Sequence, residues 1–296
     1  MSKQAVLFPG QGSQVVGMGK DLYDSNPEVR KWFELTNDLL GISLTDIMFN
    51  GPLETLTQTE FTQPAIYLHS VALYYANGLK ADMVAGHSLG EFSALTAAKV
   101  IHFDDGIKLV RLRGQSMQEA GNDFPGAMAA VIGLGDDVIE NICKTSSNMI
   151  GEPVVAANYN SPGQVVISGN SDAVEDAMSR MKEAGCRIVK RLPVSGAFHS
   201  PLMQSAYQTL SDALESIEFS EAVCPVYSNY TSLPTTDPAI LKSNALNQLL
   251  NPVRWTQTLL HMYDDGARNF TECGPGNVLK GLTQRTLQDI EFQSVD

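Results

Sequence analysis

Gln4 to Phe8 and Met83 to Ala85 are short apolar runs, and each stops at turn residues: Pro9-Gly10-Gln11-Gly12-Ser13 after the first, Gly86-His87-Ser88-Leu89-Gly90 after the second. Runs of this length bounded by glycine and proline predict buried strands, and the helical patterns alternating with them predict an α/β layer with a parallel sheet. Glu91 to Ala98 reads as the helix leaving the second turn. Phe61 to Leu79 carries no charge over nineteen residues, but it holds Gln63, Pro64, His69, Ser70 and Asn77. A buried helix opened by Pro64 fits those polar positions better than a membrane span does. In the helical stretch Asp104 to Ala120, Ile107, Leu109, Val110, Leu112, Gly114 and Met117 share one arc at about 100° per residue. Lys108, Arg111, Gln115 and Gln118 take the other arc, while Arg113 falls among the apolar positions.

The period changes in the middle of the chain. Ala127 to Leu134 reads as a strand and Asp136 to Ser147 as a helix. Val154 to Asn158 and Gln164 to Ser168 read as strands around the turn Asn160-Ser161-Pro162-Gly163. Ser171 to Ala184 is an amphipathic helix with Val174, Ala177, Met178 and Met181 on one face, and Arg187 to Val194 is a last strand. The order βαββαβ is that of a split, ferredoxin-like α+β unit. The expected organisation is a large α/β unit formed by residues 1–125 and 197–296, with residues 126–196 inserted as a small unit. A cleft between the two is the natural place for a site. Near the end, Asn269 to Glu272 reads as a strand, Gly274-Pro275-Gly276 as a turn, and the residues after that turn as a closing helix.

Composition narrows the class without fixing the chemistry. The 43% hydrophobic and 18% charged residues are ordinary for a globular protein, and a net charge of −13 argues against nucleic acid, whose phosphates need a basic face. Cys143, Cys186, Cys224 and Cys273 lie far apart without a C-x-x-C pair, so neither a zinc site nor a disulfide framework is expected, and a reducing cytoplasm fits. Met1 to Gly10 shows no secretory pattern. Glycines 10, 12, 17 and 19 do not match a phosphate-loop spacing, but a tight loop there can present a backbone N–H to a neighbouring site.

The chemistry centres on Gly86-His87-Ser88-Leu89-Gly90, a G-x-S-x-G string between a strand and a helix. Such a nucleophile elbow projects the serine Oγ into a cleft and aims the next N–H at the same point. A serine hydroxyl needs a base within hydrogen-bond reach. Of the five histidines, His87 is badly aimed, His69 reads as a core residue, and His102 and His261 read as surface or cap residues. His199 sits on a loop after a strand, where catalytic groups are often found. Arg113 reads either as half of a structural ion pair or as a clamp for a substrate carboxylate.

Together these pieces resemble the malonyl-CoA:acyl carrier protein transacylase family along nearly the whole chain. The resemblance rests on Phe8 to Gln14, Gly86 to Glu91, Arg113-Gly114 with Met117-Gln118, Ala157 to Gln164, Ser195 to Met203, Gln248 before Asn251-Pro252-Val253, and Gly274-Pro275-Gly276. It implies an α/β-hydrolase-like domain carrying a ferredoxin-like insertion. It also implies Ser88 as the acylated nucleophile, His199 as base, and Gln248 orienting His199 through its backbone carbonyl. The N–H groups of Gln11 and Leu89 would form the oxyanion hole. Arg113 would clamp the malonyl carboxylate, with Phe198, Asn158 and Asn160 as further substrate-binding positions. The expected reaction is ping-pong malonyl transfer from malonyl-CoA to the phosphopantetheine thiol of acyl carrier protein, supplying extender units for fatty acid synthesis. No metal or permanently bound cofactor is implied, and the chain is expected to act as a monomer. Because the partner is acidic too, Arg187, Lys190, Arg191, Lys280 and Arg285 are the candidates for its docking surface.

Two other readings compete. A serine esterase or thioesterase of the α/β-hydrolase class would share the elbow and take a late base, with His261 as the candidate. A carrier-docking module without catalysis would leave Ser88 unmodified.

Overall fold

Alternation along the first strand sets up the architecture. In the computed structural model, which describes residues 2–194 and 196–296, strand β1 (Lys3–Phe8) turns Val6 and Phe8 to one core and Ala5 and Leu7 to another. Met1 and Ser195, where the leading segment and the 195–203 motif begin, lie outside the described residues. Because successive side chains of a strand point to opposite faces, such a strand is buried only when both faces are covered. Helices Thr59–Ala76, Gly90–Ala97 and Phe103–Asp123 pack on one side, and helices Trp255–Asp264 and Val278–Thr286 on the other.

Among the described residues β1 belongs to a six-stranded sheet, with β2 (Met83–Gly86), β7 (Val226–Tyr227) and β8 (Pro234–Thr235) to one side, and β9 (Ala267–Cys273) and β10 (Glu291–Val295) to the other. All neighbours run parallel except the short β7–β8 pair. The second sheet comes wholly from the middle of the chain: β3 (Gly126–Ile132), β4 (Val154–Ser161), β5 (Gln164–Asn170) and β6 (Ile188–Arg191) in the order β4-β5-β3-β6, all antiparallel. One face, with Ala127, Ala129, Val131, Val165 and Ile167, packs on helices Asp136–Ile150 and Ser171–Glu183. The opposite face turns Met128 and Val166 toward a cavity. A two-way backbone bridge ties β4 to the segment just before helix Trp255–Asp264, with Tyr159 N–H donating to the Val253 carbonyl and Val253 N–H to the Ala157 carbonyl, both at 2.9 Å.

Several boundaries move for physical reasons. Pro64 does not open its helix, which starts at Thr59. The Glu60 carbonyl, four residues before a proline that has no N–H, accepts instead from Arg111 Nη1. The turn between β4 and β5 shortens to Pro162-Gly163, and Asn160 and Ser161 join the strand; Gly163 takes the positive φ of 71° that the tight hairpin needs. The strand expected over 187–194 ends at Arg191. Leu192 N–H still donates to the Met128 carbonyl, but Pro193 has no donor with which to continue.

Candidate active site

The elbow forms because both glycines lack a side chain. A Cβ on Gly86 would overlap the Gly90 backbone, and one on Gly90 would overlap the Phe8 carbonyl. Ser88, between them, has φ 52°, a left-handed conformation rare outside glycine and often found where backbone strain serves a site. His199 shares this feature at φ 58°. Its loop is tied by Ser200 Oγ, which donates to the Ala197 carbonyl at 2.6 Å and accepts from Leu202 N–H at 3.3 Å.

Ser88 Oγ and His199 Nε2 stand 2.8 Å apart, and His199 Nδ1 is 2.7 Å from the Gln248 backbone carbonyl. A carbonyl only accepts, so Nδ1 carries the proton and Nε2 faces Ser88 with a free lone pair. Burial, reinforced by the Arg113 charge, lowers the His199 pKa to about 3, so the imidazole is neutral at physiological pH.

Arg113 is 1% exposed. Its Nη1 donates to Gln63 Oε1 at 2.8 Å, and its Nη2 to Ser88 Oγ and Gln248 Oε1, both at 3.2 Å. Every one of these acceptors is neutral, and among the described residues its Nε has no partner. Arg111, two residues earlier, is the contrast: it pairs with Glu60 at 2.8 Å and lies over the Phe61 ring. Burial lowers the Arg113 pKa only to about 10, so the side chain stays a cation.

Ser88, His199, Arg113, Gln11, Leu89, Phe198, Asn158 and Asn160 all line one cavity of about 220 Å³, with Gln248 directly behind His199. Among the described residues neither the Gln11 nor the Leu89 N–H donates to a protein acceptor. The Gln11 loop is pinned by Ser13 Oγ, which donates to the Gly10 carbonyl at 2.8 Å, and a Cβ on Gly10 would overlap the His87 carbonyl. His87 also lines the cavity, but its Nε2 meets Asn160 Oδ1 at 2.8 Å rather than Ser88. His69 is buried, His102 is exposed at a helix start, and His261 donates to the Ser232 carbonyl at 2.9 Å.

Three residues under the elbow were not among the sequence candidates. Asn229 accepts from Ser88 N–H at 2.7 Å and donates from Nδ2 to the Gly86 carbonyl at 2.6 Å, bracing both sides of the bend. Glu91, fully buried, accepts from Asn229 N–H at 2.9 Å, Ser228 Oγ at 3.2 Å and Gln248 Nε2 at 3.4 Å; burial raises its pKa to about 7. Gln63 holds Arg113. Glu91 in a first helical turn reads as an ordinary dipole partner, and Asn229 lies 141 residues from Ser88, so neither carries a local signal. Gln63, a polar residue in the uncharged stretch from Phe61 to Leu79, offered the one available hint.

Comparison with known proteins places the whole chain in one family. Residues 6–295 match the model of the acyl transferase domain family. The chain is 44% identical, over its whole length and 96% of the relative's, to a malonyl CoA-acyl carrier protein transacylase of Haemophilus influenzae. It is 40% identical, with the same coverage, to one of Staphylococcus aureus. Among solved structures, an acyl carrier protein S-malonyltransferase of Vibrio cholerae superposes with a TM-score of 0.94 at 44% identity, over 100% of this chain and 97% of that one. A malonyl-transacylase in complex with its type II polyketide synthase acyl-carrier protein gives a TM-score of 0.94 at 42% identity, over 99% and 96%.

Proposed function

Because this chain belongs to the acyl transferase domain family, and within it to the malonyl CoA-acyl carrier protein transacylases, we propose that its cavity carries out malonyl transfer through an ester on Ser88. The chain is an acyltransferase that passes malonyl groups from malonyl-CoA to acyl carrier protein. The observation that carries the residue assignment is the continuous line from Ser88 through His199 to the Gln248 carbonyl, with a buried cation beside it that, among the described residues, pairs with no carboxylate.

In the first half-reaction Ser88 Oγ bonds to the thioester carbonyl carbon as His199 Nε2 takes the hydroxyl proton. The Gln11 and Leu89 N–H groups receive the charge that develops on the carbonyl oxygen. The carbon–sulfur bond then breaks, and coenzyme A leaves with the proton from His199. In the second half the phosphopantetheine thiol gives its proton to His199 and attacks the ester, and Ser88 recovers the proton as it departs. Arg113 holds the malonyl carboxylate throughout, while Phe198, Asn158 and Asn160 shape the remaining wall. The chemistry needs no resident metal or cofactor.

Residues 126–196 form, in this reading, an inserted unit that supplies the cavity's second wall. All the proposed groups come from one copy, which suits a monomer, and four free cysteines suit the cytoplasm. Among the described residues no helix is long and apolar enough to cross a membrane. Supplying extender units to fatty acid synthesis is the role that fits these parts.

Incubation with malonyl-CoA and holo acyl carrier protein, followed by the mass of the carrier, tests the reading. Wild type loads the carrier, Ser88→Ala does not, and His199→Ala is slower by roughly 10²- to 10⁴-fold. Loading by Ser88→Ala, or release of free malonate in excess of carrier loading, contradicts it.

A further inference from the structure

Arg113 and Glu91 are buried opposite charges that do not touch. Between them stands the side chain of Gln248, whose Oε1 accepts from Arg113 Nη2 at 3.2 Å and whose Nε2 faces Glu91 Oε2 at 3.4 Å. Gln63 repeats the device on the other arm of the fork: its Oε1 accepts from Arg113 Nη1 at 2.8 Å, and its Nε2 turns away to Met117 Sδ at 3.3 Å. Two neutral amides thus hold a buried guanidinium where burial alone would favour a carboxylate partner. A direct carboxylate would satisfy the cation better in the empty protein, and would then compete with any anionic group entering the cavity.

We infer that Gln63 and Gln248 are acyl-donor specificity determinants, because their uncharged side chains orient Arg113 without neutralising it and keep Glu91 from pairing with it. This rests on the reading of Arg113 as the carboxylate clamp. The role belongs to the Gln248 side chain and is separate from its backbone carbonyl, which any residue at that position supplies to His199. Glu91 remains a counter-charge at one remove: each of Glu91 and Arg113 shifts the other's pKa toward ionisation, without a shared hydrogen bond.

The test is competition between malonyl-CoA and acetyl-CoA for acylation of Ser88 in wild type, Gln248→Glu, Gln63→Glu and Gln248→Met, with labelling of Ser88 by an uncharged fluorophosphonate as the measure of an intact elbow. A carboxylate at either position is expected to lower the malonyl-to-acetyl ratio by about tenfold or more, mainly through a higher KM for malonyl-CoA. Gln248→Met, which stays uncharged, keeps the ratio within about threefold of wild type even where both rates fall. Two glutamate sites on separate elements, Gln63 within helix Thr59–Ala76 and Gln248 capping the end of helix Pro238–Asn247, keep the test independent of the folding of either variant. A glutamate variant that labels normally and keeps the wild-type ratio overturns the inference, as does an equal loss in Gln248→Met. Absence of a malonyl preference in wild type itself would remove the clamp reading, whereas a wild-type preference preserved in the glutamate variants would remove only the role of the amides.

Discussion

Nη2 of Arg113 lies 3.2 Å from Oγ of Ser88, so the buried cation and the nucleophile share a hydrogen bond while His199 Nε2 approaches the same oxygen at 2.8 Å. One donor and one acceptor thus converge on a single hydroxyl. The imidazole can draw the proton away as the guanidinium steadies the charge that develops on oxygen. In the proposed mechanism an arriving carboxylate finds the fork already placed beside the atom that is to carry the acyl group.

Asn229 is expected to act as a positioning residue. Its side chain satisfies Ser88 N–H and the Gly86 carbonyl, and its removal orphans both beneath a strained bend. At about 1–3 kcal/mol for buried groups left unpaired, Asn229→Ala should lower kcat by roughly 10- to 100-fold. Because Arg113 keeps its partners, KM for malonyl-CoA should change little. Steady-state kinetics check this, and a raised KM with unchanged kcat would contradict it.

The shifted pKa values make stability depend on pH in two opposite ways. His199, lowered from 6.5 to about 3, excludes a proton that the unfolded chain binds, so its contribution is present above pH 6.5 and is lost as pH falls toward 3. His69, lowered to about 4, acts in the same acid window. Glu91, raised from 4.5 to about 7, binds a proton more tightly when folded, so its contribution is present below pH 4.5 and is lost as pH rises through 7. Thermal melts against pH should show part of the acid arm flattened in His199→Gln and the rise in stability toward pH 4.5 flattened in Glu91→Gln. Unchanged pH profiles in both variants would show that these protons are not linked to folding.

Charge reversal addresses the carrier surface. Arg187, Lys190 and Arg191 lie on or beside edge strand β6, and Lys280 and Arg285 on the helix whose Leu279 and Leu282 line the cavity. Arg285 also donates to Gln164, a cavity residue, at 2.8 Å. Leu192, next to Arg191, also lines the cavity, so each set of cations has a member adjacent in sequence to a lining residue, in a chain of net charge −13. Reversing all five should raise KM for the carrier by at least about tenfold at low salt and flatten its dependence on ionic strength, because rim charges mainly set encounter rates. KM for malonyl-CoA measured by Ser88 acylation is the internal comparison. Basic side chains on an exposed edge also discourage strand-to-strand association, so an unchanged carrier KM would leave that as their role.

Much of this organisation was legible because it is local. The two glycines around Ser88, the alternation of β3 through β6 and the apolar arc holding Arg113 are each written within a few residues of one another. Pro64 misled because the carbonyl it leaves unpaired is satisfied by Arg111, 51 residues away in sequence. The same distance problem hid Asn229 and the support given to Glu91. Gln248 was reached through family resemblance, since a backbone carbonyl acting on a histidine leaves no residue-type signature.

Acylation of Ser88 from an equimolar mixture of malonyl-CoA and acetyl-CoA, read by peptide mass spectrometry in wild type and Arg113→Ala, bears on both the nucleophile and the clamp at once. Wild type is expected to carry almost only malonyl on Ser88, with a preference of at least about 10²-fold that collapses toward unity in the variant. A preference that survives the loss of Arg113, or acyl mass on a residue other than Ser88, would contradict the assignment of these two residues.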